Sequence, residues 1–228
     1  VLILTLAGAI GTGTPLVFAA IGGVISERAG IINLGMEGMM LIGAVTTFLV
    51  VNKTGSPLLG FIAGGIAGAL LALIHATLAI SLRANQIVCG LALTIFGTGL
   101  ASFIGKPIEG AGLEKSFNKL QIPFLSDIPA VGPVLFKQDG LVYFSWFVAL
   151  LASLYLNRTR TGLSLRAVGE NPATADAMGL SVVRMRYAHV IVGGLLAGFG
   201  GSYVILRIVP AWSQAGTTNG IGWIALAL

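Results

Sequence analysis

The chain has 228 residues, of which 56% are hydrophobic and only 9% charged, and its mean hydropathy is +0.95. A soluble domain carries about 25% charged residues, so the composition excludes a large soluble core and implies a polytopic membrane protein. The formal charge of +5 comes from arginines beside apolar runs, where they orient a protein in the bilayer, so no nucleic-acid partner is expected.

A helix needs about 20 apolar residues to cross the hydrocarbon core. Spans are predicted over 1–25, 31–51, 56–82, 86–105, 139–156 and 187–209, with a seventh starting near Ile221. The chain opens with Val1 and stops inside the apolar run GWIALAL, so both ends read as trimmed and the seventh span as truncated. The first run is too long for a signal-peptide core and lacks preceding basic residues, so it reads as a retained span. The stretch 157–186 holds Arg158, Arg160, Arg166, Arg184 and Arg186 against Glu170 and Asp176. Short basic loops stay in the cytoplasm, which places 157–186 inside and the near-neutral segment 106–138 outside. The whole of 1–228 then reads as one transmembrane domain.

The 33 glycines fall partly in rows. Gly60, Gly64 and Gly68 repeat every four residues, and Gly194 and Gly198 repeat the spacing. Small residues on one face let neighbouring helices approach closely, so these rows read as packing surfaces. No Lys-Ser/Thr follows them, so the phosphate-binding loop of nucleotide hydrolases is absent. Cys89 stands alone and His75 and His189 lie on separate spans, so no disulfide, metal site or cofactor is expected. His75 is expected to be hydrogen-bonded between helices, Arg207 to snorkel to the interface, and Trp146, Trp212 and Trp223 to act as interfacial anchors.

Two groups of polar residues interrupt the apolar runs. In GIINLGMEGMM, Asn33 and Glu37 stand four apart. A carboxylate in the bilayer costs about 2.5–3.5 kcal/mol on insertion scales, so it faces a cavity or a partner. Gly30, Gly35 and Gly38 invite an unwound turn there. Two readings stand for Glu37: a pathway or gating residue, or a pair with Arg28 near the cytoplasmic face. Asn85 and Gln86 open the fourth span, where Asn85 either caps the helix or joins Gln86 in polar lining.

The motif ENPATADAMG carries the strongest local signal. Asn171 suits a helix cap, Pro172 the first helical position, and Gly179 the left-handed residue that ends a helix. A helix over 172–178 follows, with Ala173, Ala177 and Met178 as a small apolar contact. So short a helix is marginal alone, and it rests either on a partner or on the membrane surface. No nucleophile–base pair or carboxylate pair appears, so catalytic residues are not expected.

The stretches TPLVFAAIGGVISERAGIINLGMEGMMLIGA, ANQIVCGLALTIFGTGL, LRAVGENPATADAMGLSV and GGLLAGFGGSYV resemble the membrane permease subunits of bacterial ABC importers of the branched-chain amino acid and simple-sugar type. The form SERAGIINLGMEG looks most like the nucleoside-transporting branch, since sugar permeases usually carry an aspartate where Asn33 stands. That ranks nucleosides first, simple sugars second and branched-chain amino acids third. The resemblance implies an all-α polytopic bundle in the bacterial cell membrane, embedded in lipid. It implies that Glu170, Asn171, Pro172, Ala173, Thr174, Ala175, Asp176, Ala177, Met178 and Gly179 form the coupling helix on an ATP-binding cassette subunit. It implies that Asn33, Glu37, Asn85 and Gln86 line the translocation path. The partners it implies are two cassettes, a second permease, identical or related, and an extracytoplasmic solute-binding protein. The alternative is a secondary transporter driven by an ion gradient, with Glu37 as the proton or sodium site.

Overall fold

Six helices of the chain are long and apolar enough to cross a membrane: Ile3–Arg28, Met36–Thr54, Pro57–Ser81, Gln86–Ile108, Gly140–Arg158 and Val182–Ile208. The computed structural model describes residues 2–113, 115–117, 120, 131–213 and 217–228. In chain order its α-helices are α1 (Leu2–Arg28), α2 (Met36–Thr54), α3 (Pro57–Ala76), α4 (Gln86–Gly105), α5 (Val131–Leu135), α6 (Gly140–Arg158), α7 (Arg160–Glu170), α8 (Pro172–Ala177), α9 (Val182–Tyr203) and α10 (Ile221–Ala227). Helices α3 and α9 each run on into a π-helical turn, Thr77–Ser81 and Val204–Ile208. The middle of the expected external loop, 121–130, lies outside the described residues.

Three boundaries differ from the sequence reading, each for a local reason. The span expected over 31–51 becomes helical only at Met36. Gly30, at φ +76°, turns the chain out of α1, and residues 31–33 belong to no helix. The span expected from 187 begins at Val182, which draws Arg184 and Arg186 into the helix. The Arg186 guanidinium donates from Nε to the Ala29 carbonyl at 3.1 Å, so its charge is tied to the end of α1. The basic loop 157–186 holds α7 as well as the expected short helix. Gly162, Leu165 and Val168 of α7 are buried at a spacing of three, the amphipathic pattern of a helix lying on the bundle end.

Helices α2 and α9 form the centre. In their most apolar windows 72% and 78% of residues are buried, against 22–39% in the other four spans. Both can be central because small residues let backbones meet. An added Cβ at Gly43 would lie 2.6 Å from the Gly198 carbonyl oxygen, and one at Gly64 would lie 2.6 Å from the Gly43 carbonyl. One at Gly194 would lie 2.7 Å from the Gly68 carbonyl. The two glycine rows seen in the sequence therefore face each other across α3 and α9. Thr47 Oγ1 sits 2.8 Å from the Gly43 carbonyl and 2.7 Å from Ser202 Oγ, a buried polar tie between α2 and α9. Above it Phe61 and Phe199 stack at 4.3 Å with rings 7° apart.

The end away from α7 and α8 is closed by an ion pair. Asp139 is buried and caps α6, its Oδ1 accepting from Leu141 N and Val142 N at 3.1 Å each. Its Oδ2 accepts from Tyr203 Oη and from Arg207 Nε, each at 3.0 Å. Arg207 also donates from Nη1 to the Phe117 carbonyl at 2.9 Å. It turns inward and does not snorkel, because a buried carboxylate needs a paired donor. Trp212 likewise is no surface anchor. It is 1% exposed, its indole packed against Gly105 at the end of α4.

Overpacking a tight helix crossing costs about 1–3 kcal/mol or more. Gly198→Leu is expected to lower the detergent melting temperature sharply or abolish the monodisperse peak on size-exclusion chromatography. Gly99→Leu is expected to leave both unchanged, because an added Cβ there meets nothing within 4 Å.

Candidate functional site

The turn between α1 and α2 buries Ala29, Ile31, Asn33 and Gly35, and its buried backbone groups need protein partners. Side chains supply several of them. Gln86 Oε1 accepts from Ile32 N at 2.8 Å, and Asn33 Oδ1 accepts from Gly35 N at 2.9 Å. Thr94 Oγ1 donates to the Leu34 carbonyl at 2.8 Å, and His75 Nε2 lies 3.2 Å from the Ile32 carbonyl. Asn33 Nδ2 also reaches Met39 Sδ at 3.5 Å. Asn85 caps α4, accepting from Ile87 N at 3.0 Å and Val88 N at 3.2 Å. Thr94 stands eight residues into α4, about 12 Å along the axis. The start of α2 therefore lies well inside the helical layer rather than at its edge.

Glu37 lies one residue into α2 and is 6% exposed. It makes no pair with Arg28, which stays exposed at the end of α1. Both of its oxygens accept from the segment that follows α9. Thr218 Oγ1 and Gly220 N (3.2 Å) donate to Oε1, and Gly222 N (2.6 Å) donates to Oε2. These amides open α10, whose own cap position, Gly220, has no side chain to offer. A carboxylate from α2 thus caps a distant helix, a favourable charge at a favourable end. Gly222 is required here, since an added Cβ would lie 2.6 Å from the Glu37 Cα.

The chain reaches Glu37 by re-entering the bundle. Trp212 packs at Gly105, the far end of α4, whereas Thr218 meets Glu37 near the level of Thr94. The sequence reading started a seventh span near Ile221, and α10 begins there. The described residues before it, 209–213 and 217–220, pass from the Gly105 end of α4 to Glu37, so the start of α10 lies against Glu37. Asn219 (φ +46°) and Gly220 (φ +83°) make the reversal, residue types that tolerate the left-handed region.

Between α2, α4 and this segment lies a cleft of about 290 Å³ lined by Glu37, Leu41, Thr94, Thr98, Thr217, Thr218, Asn219, Gly220 and Trp223. Of the four residues expected to line a path, only Glu37 borders it. Asn33, Asn85 and Gln86 hold the backbone behind it. The threonines and Asn219 were missed by the sequence reading. The available signals were the Thr94–Thr98 pair, four apart in an otherwise apolar span, and the polar run TTNG.

The second candidate element is α8. Asn171 Oδ1 accepts from Thr174 N at 3.0 Å, Pro172 takes the first turn, and Gly179 ends the helix at φ +83°. Ala175 is 4% exposed and packs inward, while Met178 is 80% exposed. Glu170, Asn171, Ala173, Thr174, Asp176, Ala177 and Gly179 are exposed and Pro172 is half-buried. The apolar contact expected from Ala173, Ala177 and Met178 is thus on the outward side, and the helix rests on Ala175. Its base is firm. Leu165 of α7 is buried with Ala29 and Leu156, and a Cβ at Gly169 would strike the carbonyl of Arg28.

These features describe a multi-span membrane protein with a polar interior cleft and a rigid helix presented at one end. The chain belongs to the family described as branched-chain amino acid transport system permease component, which matches residues 5–228. It is a non-catalytic membrane permease. It is 41% identical over 219 residues to the putative glucose ABC transporter permease protein TsgC13 of Haloferax volcanii, covering 94% of this chain and 66% of that one. It is 40% identical over 231 residues to the guanosine ABC transporter permease protein NupQ of Bacillus subtilis, covering 93% and 70%. It is also 40% identical over 225 residues to the nucleoside ABC transporter permease protein NupC of Lactococcus lactis, covering 94% and 70%. The chain therefore spans about two thirds of the length of these relatives. No solved structure matches it.

Removing one partner from a charge-assisted hydrogen-bond cluster costs about 1.5–3 kcal/mol. Glu37→Gln points an amide donor at a backbone donor and is expected to lower thermal stability by that order. Thr218→Val is expected to cost less, and the double variant to fall short of the sum of the two. Melting curves of the four proteins in detergent check this.

Proposed function

We propose that this chain is the membrane-spanning permease of an ATP-driven importer whose solute is a nucleoside. The observation that carries the reading is α8: a capped helix with an exposed outer face, anchored through α7 to the end of α1. A transporter with no nucleotide motif of its own needs a mechanical input, and α8 has the form of one. In this reading Glu170–Gly179 seats on an ATP-binding cassette subunit, and α7 carries its movement to α1 and α9. Gly169 against Arg28, and Arg186 on Ala29, are the points of transmission.

The solute assignment is supported by the likeness to NupQ, named for guanosine transport, and NupC, named for nucleoside transport. A simple sugar is the second reading, favoured by TsgC13. The translocation path passes the cleft, with Glu37 as its gate residue. Asn33, Asn85 and Gln86 hold the turn on which that gate rests. A second permease and an extracytoplasmic binding protein complete the assembly. The ion-gradient alternative has less support, because the relatives at about 40% identity are named as ABC transporter permeases.

Met178→Asp, made in the assembled transporter, is expected to cut ATP-dependent uptake about tenfold or more while membrane insertion and melting temperature stay unchanged. Ala175→Asp is expected to lower the melting temperature instead, because it buries an unpaired carboxylate. Uptake by vesicles and melting curves separate the two. Normal transport by Met178→Asp contradicts the docking role of α8.

A further inference from the structure

We infer that the cleft beside Glu37 is a solute recognition site in which Trp223 takes the nucleobase and Thr98 accepts a hydrogen bond from the ribose. The inference rests on the nucleoside reading and adds to it the residues that select the solute.

The hydroxyl protons of the cleft are already committed. Thr94 donates to the Leu34 carbonyl at 2.8 Å, Thr98 to the Thr94 carbonyl at 2.8 Å, and Thr217 to the Ser213 carbonyl at 2.7 Å, while Thr218 donates to Glu37. A hydroxyl that has given its proton keeps lone pairs and can only accept. The threonine wall is therefore an array of acceptors, and it is matched by a solute rich in O–H and N–H donors. Neither Lys, Arg nor His lines the cleft among the described residues, and Glu37 adds negative charge. An anion finds no counterion there. A zwitterionic amino acid would bring a carboxylate whose only side-chain donors there, with the threonine protons committed, are the Asn219 amide and the Trp223 indole, beside the charge of Glu37. The chemistry favours a neutral, hydroxyl-bearing molecule and disfavours nucleotides and amino acids alike.

Trp223 sets the second half of the preference. Trp223 is 40% exposed and borders the cleft. An indole at the wall of a polar cleft gives a flat apolar surface on which a planar base stacks. The volume of about 290 Å³ lies at the small end of ligand sites, which run from about 300 Å³ upward. That suits one nucleoside. Thr98 is half-buried on the α4 wall, with its oxygen free to accept.

The test is equilibrium binding of tritiated guanosine to the assembled permease–cassette complex in nanodiscs, with the binding protein left out so that the membrane site alone is read. Competing ligands are 2′,3′-dideoxyguanosine and guanosine monophosphate. Trp223→Ala is expected to weaken guanosine about tenfold and Trp223→Phe about threefold or less. Thr98→Val is expected to weaken guanosine about tenfold but dideoxyguanosine less than about twofold, since Thr98 accepts from the 2′- or 3′-hydroxyl and the dideoxy analogue, which keeps only the 5′-hydroxyl, has neither. Guanosine monophosphate is expected not to compete. Equal weakening of both nucleosides by Thr98→Val, or unchanged binding in both Trp223 variants, overturns the assignment. If the wild-type complex with its binding protein imports guanosine yet the complex alone does not bind it, the cleft assignment fails and the nucleoside reading survives. If no guanosine is imported at all, the nucleoside reading falls and this inference with it.

Discussion

Inside a hydrocarbon layer an unpaired amide has no water to turn to, and this chain breaks its helices there twice. The first break is the turn before α2, and the second is the re-entrant segment before α10. Each leaves amides that must be met by side chains. Glu37 is where the two breaks meet, since it stands in the first turn of α2 and accepts from the first amides of α10. Without that carboxylate the re-entrant segment would carry free donors into the interior. With it, the chain has a polar wall at mid-depth, and the cleft follows from that wall.

The rest of the bundle serves to hold these two breaks together. The glycine contacts of α2 with α9 and α3 fix the height of α2, and Gly38 against Gly97 fixes α4 beside it. At one end Asp139 and Arg207 tie α6 to the end of α9. At the other, α7 locks onto the end of α1 and carries α8. In the proposed mechanism, displacement of α8 reaches the interior through α1, which packs on α9, and through α9 itself, which packs on α2. The cleft wall on α10 packs on α1 as well, so a shift of α1 bears on both sides of the Glu37 cluster.

Much of this was legible in the sequence. All six spans show in hydropathy, and the caps of α4 and α8 fall on Asn85 and Asn171 as their residue types suggest. The packing rows of α3 and α9 were visible as glycine spacing, although which row faces which is a tertiary fact. The re-entrant segment was not visible. Hydropathy measures how apolar a run is and not where it begins, so Ile221 read as the start of an ordinary span. Arg207 and Trp212 misled for a related reason. At a span end both look like interfacial residues, and only a partner distant in sequence, Asp139 for one and Gly105 for the other, turns them inward. The threonines of the cleft were hidden because a lone threonine in a membrane helix usually bonds its own backbone. Thr98 does so, and its significance comes only from the wall around it.

The claim on which the account rests is that residues 217–220 lie at mid-depth, held by Glu37. The direct measurement is the depth of a spin label at Asn219, with Cys89 replaced by serine, read in a bilayer from its relative accessibility to oxygen and to a water-soluble nickel relaxant. The account predicts a label buried about 10–15 Å from the surface in a core about 30 Å thick, moving toward water when Glu37→Gln is added. A label at Asn219 as exposed to the nickel reagent as one at Ala211, and indifferent to Glu37, would contradict it.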